Sequence, residues 1–425
     1  MEYLGDPWPV MPDGSEYDGK QLLTLVRDGR SPFRGAWEVN LLIREIEEKL
    51  DTKVVDIPMV YDGANYYGVH VKLSDRRDII ARLRKSDFNW PNYCSRPYHK
   101  VVPQVEFEAA VYDLLRNESD METSSLLYHR VPEQRPEPRV EVPVDIVGRS
   151  LFLFKKDEGE KNIYIDLPAT QRSHLLKQAA RIRASLFNYA LPLDFAETWF
   201  LTCLFEQKPE FWDLQVASTR KFCLELFTSK IEATICNIGD MIGWPSDNVV
   251  VGPIAFAAKK SLLDFIPTML PSGSDELCYY RLVLEHGDYG IHNMSIQRPE
   301  NGTIKISSLF DWETGSIVPA LLSDPTFWVQ AGGVGVDENG DAKLFDVSES
   351  ATAEETKTRM AEAQEYTTKL FKDSPEYYRA VVAGKDARHL WFTLRAWRGD
   401  DPEKYFGALG AWAEARMKEM REESL

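Results

Sequence analysis

The sequence predicts an α+β chain in two parts, a small sheet-rich one followed by a larger, mainly helical one. Three observations carry this. From about residue 51, short β-like runs follow one another between turn residues. Beyond residue 158, long stretches place apolar residues at three- and four-residue intervals. The composition, 44% hydrophobic and 12% aromatic over 425 residues, is that of a folded globular chain. The expected divisions are an N-terminal helical extension over residues 1–50, a small lobe over 51–158 and a helical lobe over 159–425.

Taken in order, a first helix is expected over residues 20–27 and a firmer one over 36–50. In the second, Val39, Leu42, Ile43, Ile46 and Leu50 line one face. Strands follow at 54–60, at 66–73, entered through Asp62 and Gly63, and at 78–83, where Ile79 and Ile80 are β-branched. A helix over 105–116 precedes strands at 140–147 and 151–154. Helices are then expected over 171–190 and 213–236, and a loop over 268–276, which contains Pro271, Ser272, Gly273 and Ser274. Two apolar runs, 279–285 and 303–310, come next. Three last helices cover 353–371, 375–397 and 401–422. The chain shows neither an internal repeat nor a low-complexity tract.

Charge and absent motifs narrow the function. Fifty basic and 67 acidic residues leave a net charge of −17, which argues against a general affinity for nucleic acid or an anionic membrane surface. No apolar run approaches the roughly 18–20 residues that cross a bilayer. Met1 to Pro7 carry neither a basic nor an apolar leader region. The five cysteines, Cys94, Cys203, Cys223, Cys236 and Cys278, are scattered, so reduced thiols in a cytoplasmic protein are expected. The phosphate-binding P-loop, the His-Glu-x-x-His zinc motif and the Gly-x-Ser-x-Gly nucleophile motif are all missing from the sequence.

The segment Leu284 to Met294 carries the chemistry. It places His286, Asp288 and Asn293 in the order His-x-Asp followed five residues later by Asn, and an apolar strand after it ends in Phe310, Asp311, Trp312 and Glu313. Phosphoryl transfer from ATP needs this set: one carboxylate to accept a hydroxyl proton, and an Asn with a second carboxylate to hold Mg²⁺. Oxygen donors of this type suit Mg²⁺, whose shell phosphates and waters complete. A plainer reading is a turn in which Asp and Asn cap local backbone and His fills a core niche. By residue frequencies, His-Gly-Asp-x-x-x-x-Asn arises by accident on the order of once per thousand proteins of this length, which weighs against it.

This loop and the strand ending in Asp311 resemble the aminoglycoside phosphotransferase (APH) family, within the protein-kinase-like superfold. The form with Tyr289, Gly290, Ile291 and His292 is similar to the large fungal branch of APH-domain proteins, and Gly315, Pro319 and Asp324 follow the family's continuation. The resemblance spans roughly residues 55 to 330. It implies a bilobal kinase-like fold, Asp288 as catalytic base, Asn293 and Asp311 as magnesium ligands, and His286 and Asp324 as supports of the catalytic loop. Glu313 is either a contact to a second metal or a solvated carboxylate, and His292 has no assigned role.

In the small lobe, the turn from Asp62 to Gly68, with Gly63 at its start, occupies the place of the nucleotide-covering loop; an ordinary hairpin explains it equally well. Arg82 stands where kinases carry a phosphate-contacting Lys, as it often does in the branch resembled, and Glu108 is its expected helix partner. Glu106 falls on another face. Lys72 and Lys85 are the neighbouring cations that would replace Arg82 if the contact lay elsewhere. Residues 151–156 would form the hinge strand that reads adenine through backbone amides. Trp391, Leu394 and Trp397 at helical spacing read as core.

The expected function is ATP- and Mg²⁺-dependent phosphorylation of a hydroxyl on a small, possibly amine-bearing acceptor, which the resemblance places between the catalytic loop and the helices of 353–422. Two alternatives stand beside it: a kinase-like binding protein without turnover, and an APH fold repurposed for a non-phosphoryl step on a natural product.

Overall fold

The computed structural model describes residues 6–90, 98–136, 144–203, 209, 211–236, 252–273, 275–298, 303–330, 332–397 and 401–423. The chain divides into two compact units, Met1–Glu160 with Ser307–Glu313, and Lys161–Ile306 with Thr314–Leu425.

In the first unit, α1 (Leu22–Arg27) and α2 (Val39–Leu50) precede β1 (Val54–Asp62), β2 (Tyr66–Leu73) and β3 (Asp78–Arg84). Then come α3 (Tyr98–Leu115), β4 (Leu126–Arg130) and β5 (Leu151–Lys155). The five strands form an antiparallel sheet in the order β1-β2-β3-β5-β4. β3 alternates strictly. Ile79, Ala81 and Leu83 are buried, and Ile80, Arg82 and Arg84 point the other way, as a two-residue period requires.

The Ala81 face joins Tyr67, Val69 and Val71 of β2 to Trp37, Leu42 and Ile46 from the first fifty residues in one hydrophobic core. Within it the Trp37 ring lies 4.8 Å from Phe33 and 5.8 Å from Tyr67. Residues 6–50 thus supply a layer on one face of the sheet. On the Arg82 face, α3 supplies Glu108 and Tyr112, the latter in edge contact with Phe154 of β5 at 4.9 Å.

Several boundaries differ from the sequence expectation. α3 begins at Tyr98 rather than 105, with Pro103 inside it; the proline reads as a breaker in sequence, but the helix carries it. β4 was not expected. Of the strand expected over 140–147, residues 140–143 lie outside the described residues, and 144–147 are not a strand. There the backbone is taken up locally. Asp145 Oδ1 accepts the Val147 N–H, and Arg130 donates to the carbonyls of Ile146 and Val147.

The second unit runs α4 (Ala169–Asn188), α5 (Leu193–Cys203), α6 (Arg220–Thr234), α7 (Pro253–Met269), α8 (Glu276–Tyr280), β6 (Leu282–Glu285) and β7 (Met294–Gln297). β8 (Lys305–Leu309) carries the chain into residues of the first unit. There follow β9 (Ser316–Pro319), β10 (Phe327–Val329), β11 (Gly332–Val336), β12 (Ala342–Phe345), α9 (Ala353–Asp373), α10 (Pro375–Ala383), α11 (Lys385–Ala396) and α12 (Pro402–Glu423). β6 pairs antiparallel with β9. The single helix expected over 375–397 breaks at Gly384, whose N–H closes α10 onto the Ala380 carbonyl. α5, α7 and the β10-β11-β12 sheet were not anticipated, and residues 213–219, expected to be helical, precede α6.

Trp391, Leu394 and Trp397 are buried, as are the thiols of Cys223 and Cys278; Cys94 lies outside the described residues. Among the described residues no helix is long and apolar enough to cross a membrane.

If the first fifty residues are a structural layer, Trp37→Ala should destabilise the first unit by about 3–5 kcal/mol, the usual cost of emptying a buried Trp site. Urea unfolding followed by sheet and tryptophan signals is the measurement. A loss under 1 kcal/mol would show that the layer does not support the sheet.

Candidate active site

In the second unit the loop from His286 to Asn293 leaves the end of β6, and its stem is tied by buried charge. Arg183, fully buried on α4, donates through Nη2 to both oxygens of Glu285 at 2.7 and 2.5 Å, and to the Asp324 carbonyl at 2.7 Å. Ser323 Oγ donates to Glu285 Oε1 at 2.5 Å, and the Tyr377 hydroxyl stands 2.8 Å from that Oγ. Burial works against the Arg183 charge, but the Glu285 carboxylate more than offsets it and holds the guanidinium above its ordinary range. Burial likewise raises the Glu285 carboxyl against Arg183. Both Glu285 oxygens meet the one nitrogen, a charge-assisted contact that favours the ion pair.

The loop then turns tightly. Gly287 has φ of +80°, and a Cβ there would stand 2.0 Å from the Thr314 carbonyl oxygen, so only glycine fits. His286 is wholly buried, and its carbonyl accepts from Thr314 Oγ1 at 3.4 Å. Tyr289 turns inward and donates its hydroxyl to the Ala179 carbonyl of α4 at 2.7 Å.

These constraints present Asp288 half exposed, with its Oδ2 held twice: by His292 Nε2 at 2.9 Å and by Asn293 Nδ2 at 3.1 Å. Asn293 Nδ2 also donates to the Asp288 carbonyl at 2.9 Å. The His292 hydrogen bond, helped by its charge and by Asn293, keeps the Asp288 carboxyl below its ordinary value despite partial burial. Asp288 is an ionised carboxylate at neutral pH with Oδ1 turned from the clamp, which is what a proton acceptor requires. The amide nitrogen of Asn293 is engaged, so its oxygen is the atom suited to a cation.

Asp324, expected to support the loop, meets Arg183 at the stem through its carbonyl, while its side chain caps its own turn. Its Oδ1 accepts the Thr326 N–H at 2.9 Å. The side chain that reaches the stem belongs to its neighbour Ser323. Sequence reasoning also missed the Arg183–Glu285 pair and left His292 unassigned; a lone Arg amid the apolar period of α4 was the only available signal.

In the first unit, Arg82 donates to Glu108 Oε1 at 3.0 Å and to Asp311 Oδ1 at 2.7 Å, with its guanidinium 4.5 Å from the centre of the Tyr66 ring. Glu108 and Tyr112 stand one helical turn apart on α3. The Tyr112 hydroxyl accepts the Asp311 N–H at 2.9 Å, which holds Asp311 at φ of +70°, a conformation Asp tolerates better than most residues. Burial opposes the Arg82 charge, yet Asp311 and Glu108 together keep its pKa well above the ordinary range. Burial pushes Glu108 up to about 8, with Arg82 opposing and Asp311 adding to the rise.

Glu313 is partly buried. Its oxygens take Arg84 at 3.4 Å and Asn65 Nδ2 at 2.8 Å. Gly63 lies in the three-residue β1–β2 hairpin, where a Cβ would stand 2.7 Å from the Tyr66 carbonyl oxygen. Lys85 is paired with Asp62, and Lys72 is exposed on β2. Asp311 belongs to the first unit; Asp288 and Asn293 belong to the second. Among the described residues no group of three or more His, Cys, Asp or Glu side chains is arranged to hold a metal.

No family model matches the chain, and no curated protein matches it. Among solved structures it is similar to APH(2")-IIia in its GDP and kanamycin complex, at 12% identity over 91% of this chain and 100% of the other, with a TM-score of 0.40. The ADP-bound aminoglycoside phosphotransferase APH(2'')-Ib aligns at 10% identity, 88% and 97% coverage, and a TM-score of 0.44. The amicoumacin kinase hAmiN aligns at 10% identity, 90% and 95% coverage, and a TM-score of 0.38.

Two titrations probe these groups. The folded chain holds the Glu108 proton up to about pH 8, whereas the ordinary carboxyl releases it near 4.5. The folded state therefore binds more protons across that window, and stability falls as pH rises through it. Asp311→Asn should lower the Glu108 value and flatten the slope of urea midpoint against pH; an unchanged slope would mean that Asp311 does not act on Glu108. For Asp288 the sign is opposite. Its stabilising contribution is present above about 3.8 and is lost as pH falls through the lower native value. Carboxyl NMR of His292→Ala should find Asp288 titrating at higher pH, and a curve identical to the parent's would remove His292 as the cause.

Proposed function

We propose that the chain is an ATP- and Mg²⁺-dependent phosphotransferase acting on a hydroxyl of a small molecule. The observation that carries this is the half-exposed Asp288 carboxylate, kept ionised by His292 and Asn293 on a loop whose stem is fixed by buried charge. Asp288 Oδ1 accepts the proton of the acceptor hydroxyl as that oxygen attacks the terminal phosphorus of ATP and the bond from that phosphorus to the bridging oxygen breaks, releasing ADP. Asn293 and Asp311 are the oxygen donors suited to Mg²⁺, which when bound offsets charge on the transferred group. Arg82, with Glu108, sets the position of Asp311. The loop form from Tyr289 to His292 supports placement with the fungal APH branch, the scattered cysteines support a cytoplasmic protein, and the acidic residues of 353–422 support an amine-bearing acceptor.

One observation favours a binding protein without turnover: the Arg82 guanidinium is already engaged by two carboxylates. ATP consumption in the presence of hydroxylated amines separates the readings. Asp288→Asn should keep Mg²⁺-dependent ATP binding and lose about 10²–10⁴-fold in transfer, as loss of a general base does. Asp311→Asn should weaken ATP–Mg²⁺ binding as well as turnover. Full activity in Asp288→Asn would sink the catalytic assignment; parental ATP–Mg²⁺ binding in Asp311→Asn would sink the metal assignment.

A further inference from the structure

A pocket of about 790 Å³ opens in the second unit where the end of α4, α5 and the α9–α10 junction meet the start of β6. Its walls are apolar at Leu191, Leu193, Ala196 and Leu282, and Arg281 and Asp373 bring opposite charges to it.

Both charged groups have unused capacity. Arg281 lies against the Phe187 ring, 4.4 Å from its centre, and its Nε and Nη2 are buried without a hydrogen-bond partner. Asp373 gives Oδ1 to Lys369 at 2.7 Å, while its Oδ2 is buried without a partner. Glu376, also on the lining, sits 3.7 Å from Arg379. Buried donors and acceptors left unpaired are costly, so Arg281 and Asp373, both on the lining of a cavity with apolar walls, would gain by turning toward a ligand that supplies their partners.

The pocket is separate from the catalytic loop. Arg281 precedes β6, and Asp288 follows its last residue by three; four strand residues span roughly 13 Å. We propose that this pocket is a second ligand site for a small zwitterion with an apolar body, its carboxylate taken by Arg281 and its ammonium by Asp373. Cavities of this volume hold molecules larger than a single amino acid, so a dipeptide is the scale of ligand expected.

Dileucine is the probe, with N-acetyl-dileucine lacking the ammonium, dileucine amide lacking the carboxylate, and a doubly capped form lacking both. Calorimetric titration of the full chain should find dileucine binding, at least tenfold weaker binding of each singly capped form, and none of the doubly capped one. Arg281→Leu and Asp373→Asn should each remove the binding. Leu193→Trp, at an exposed position on the rim, should block it without touching either charge, which covers the case in which a buried-charge variant fails to fold. Asp288→Asn should bind dileucine like the parent. Failure of the folded parent to bind dileucine, equal binding of the doubly capped form, or loss of binding in Asp288→Asn would each overturn the proposal.

Discussion

One guanidinium shared by two carboxylates organises the first unit. Arg82 is placed by the register of β3, opposite Gly68 and Phe152, and by a two-residue period that turns it away from the Trp37 core. Glu108 and Tyr112 meet it from one face of α3, and Tyr112 holds the backbone of Asp311. A buried charge survives only when paired, and here two anions compete for one cation. Burial, with Asp311 adding to it and Arg82 opposing, holds the Glu108 proton to about pH 8. Whatever draws Asp311 away therefore leaves Arg82 wholly to Glu108.

The second unit solves a different problem, presenting a carboxylate at the surface in a fixed orientation. The Arg183–Glu285 pair fastens the last residue of β6 to α4, and Tyr289 adds a second bond to the same helix. Buried ion pairs contribute little net stability against an apolar replacement. Their effect here is geometric: the turn at Gly287 starts from a stem that has one position.

How much of this the sequence disclosed follows the range of each interaction. Asp288, Asn293 and His292 lie within five residues, so their spacing already implies a shared turn. Arg82 and Glu108 were expected from the family resemblance, by their places on the third strand and on the helix that follows it. Arg183 and Glu285 are 102 residues apart, and no local pattern marks a partner at that distance. The same holds for the layer formed by residues 6–50 and for the engagement of Glu313 by Arg84 and Asn65. Residues 144–147 misled for another reason. Their apolar, β-branched character suits a strand, but side chains of Arg130 and Asp145 occupy the backbone groups that a ladder would use.

Ser307–Glu313 belong to the first unit although the chain on both sides belongs to the second. Leu309 exchanges backbone hydrogen bonds with Glu122 and Ser124, and Ser124 Oγ meets Ser308 Oγ at 2.5 Å, so the segment is stitched into place. The first unit is consequently not a contiguous stretch of gene. A recombination or truncation that separates residues 1–160 from the rest also removes Asp311 and Glu313, leaving Arg82 with one carboxylate and breaking the Arg84–Glu313 contact. The two units are bound to a common inheritance: neither can be exchanged for that of another protein by a single crossover.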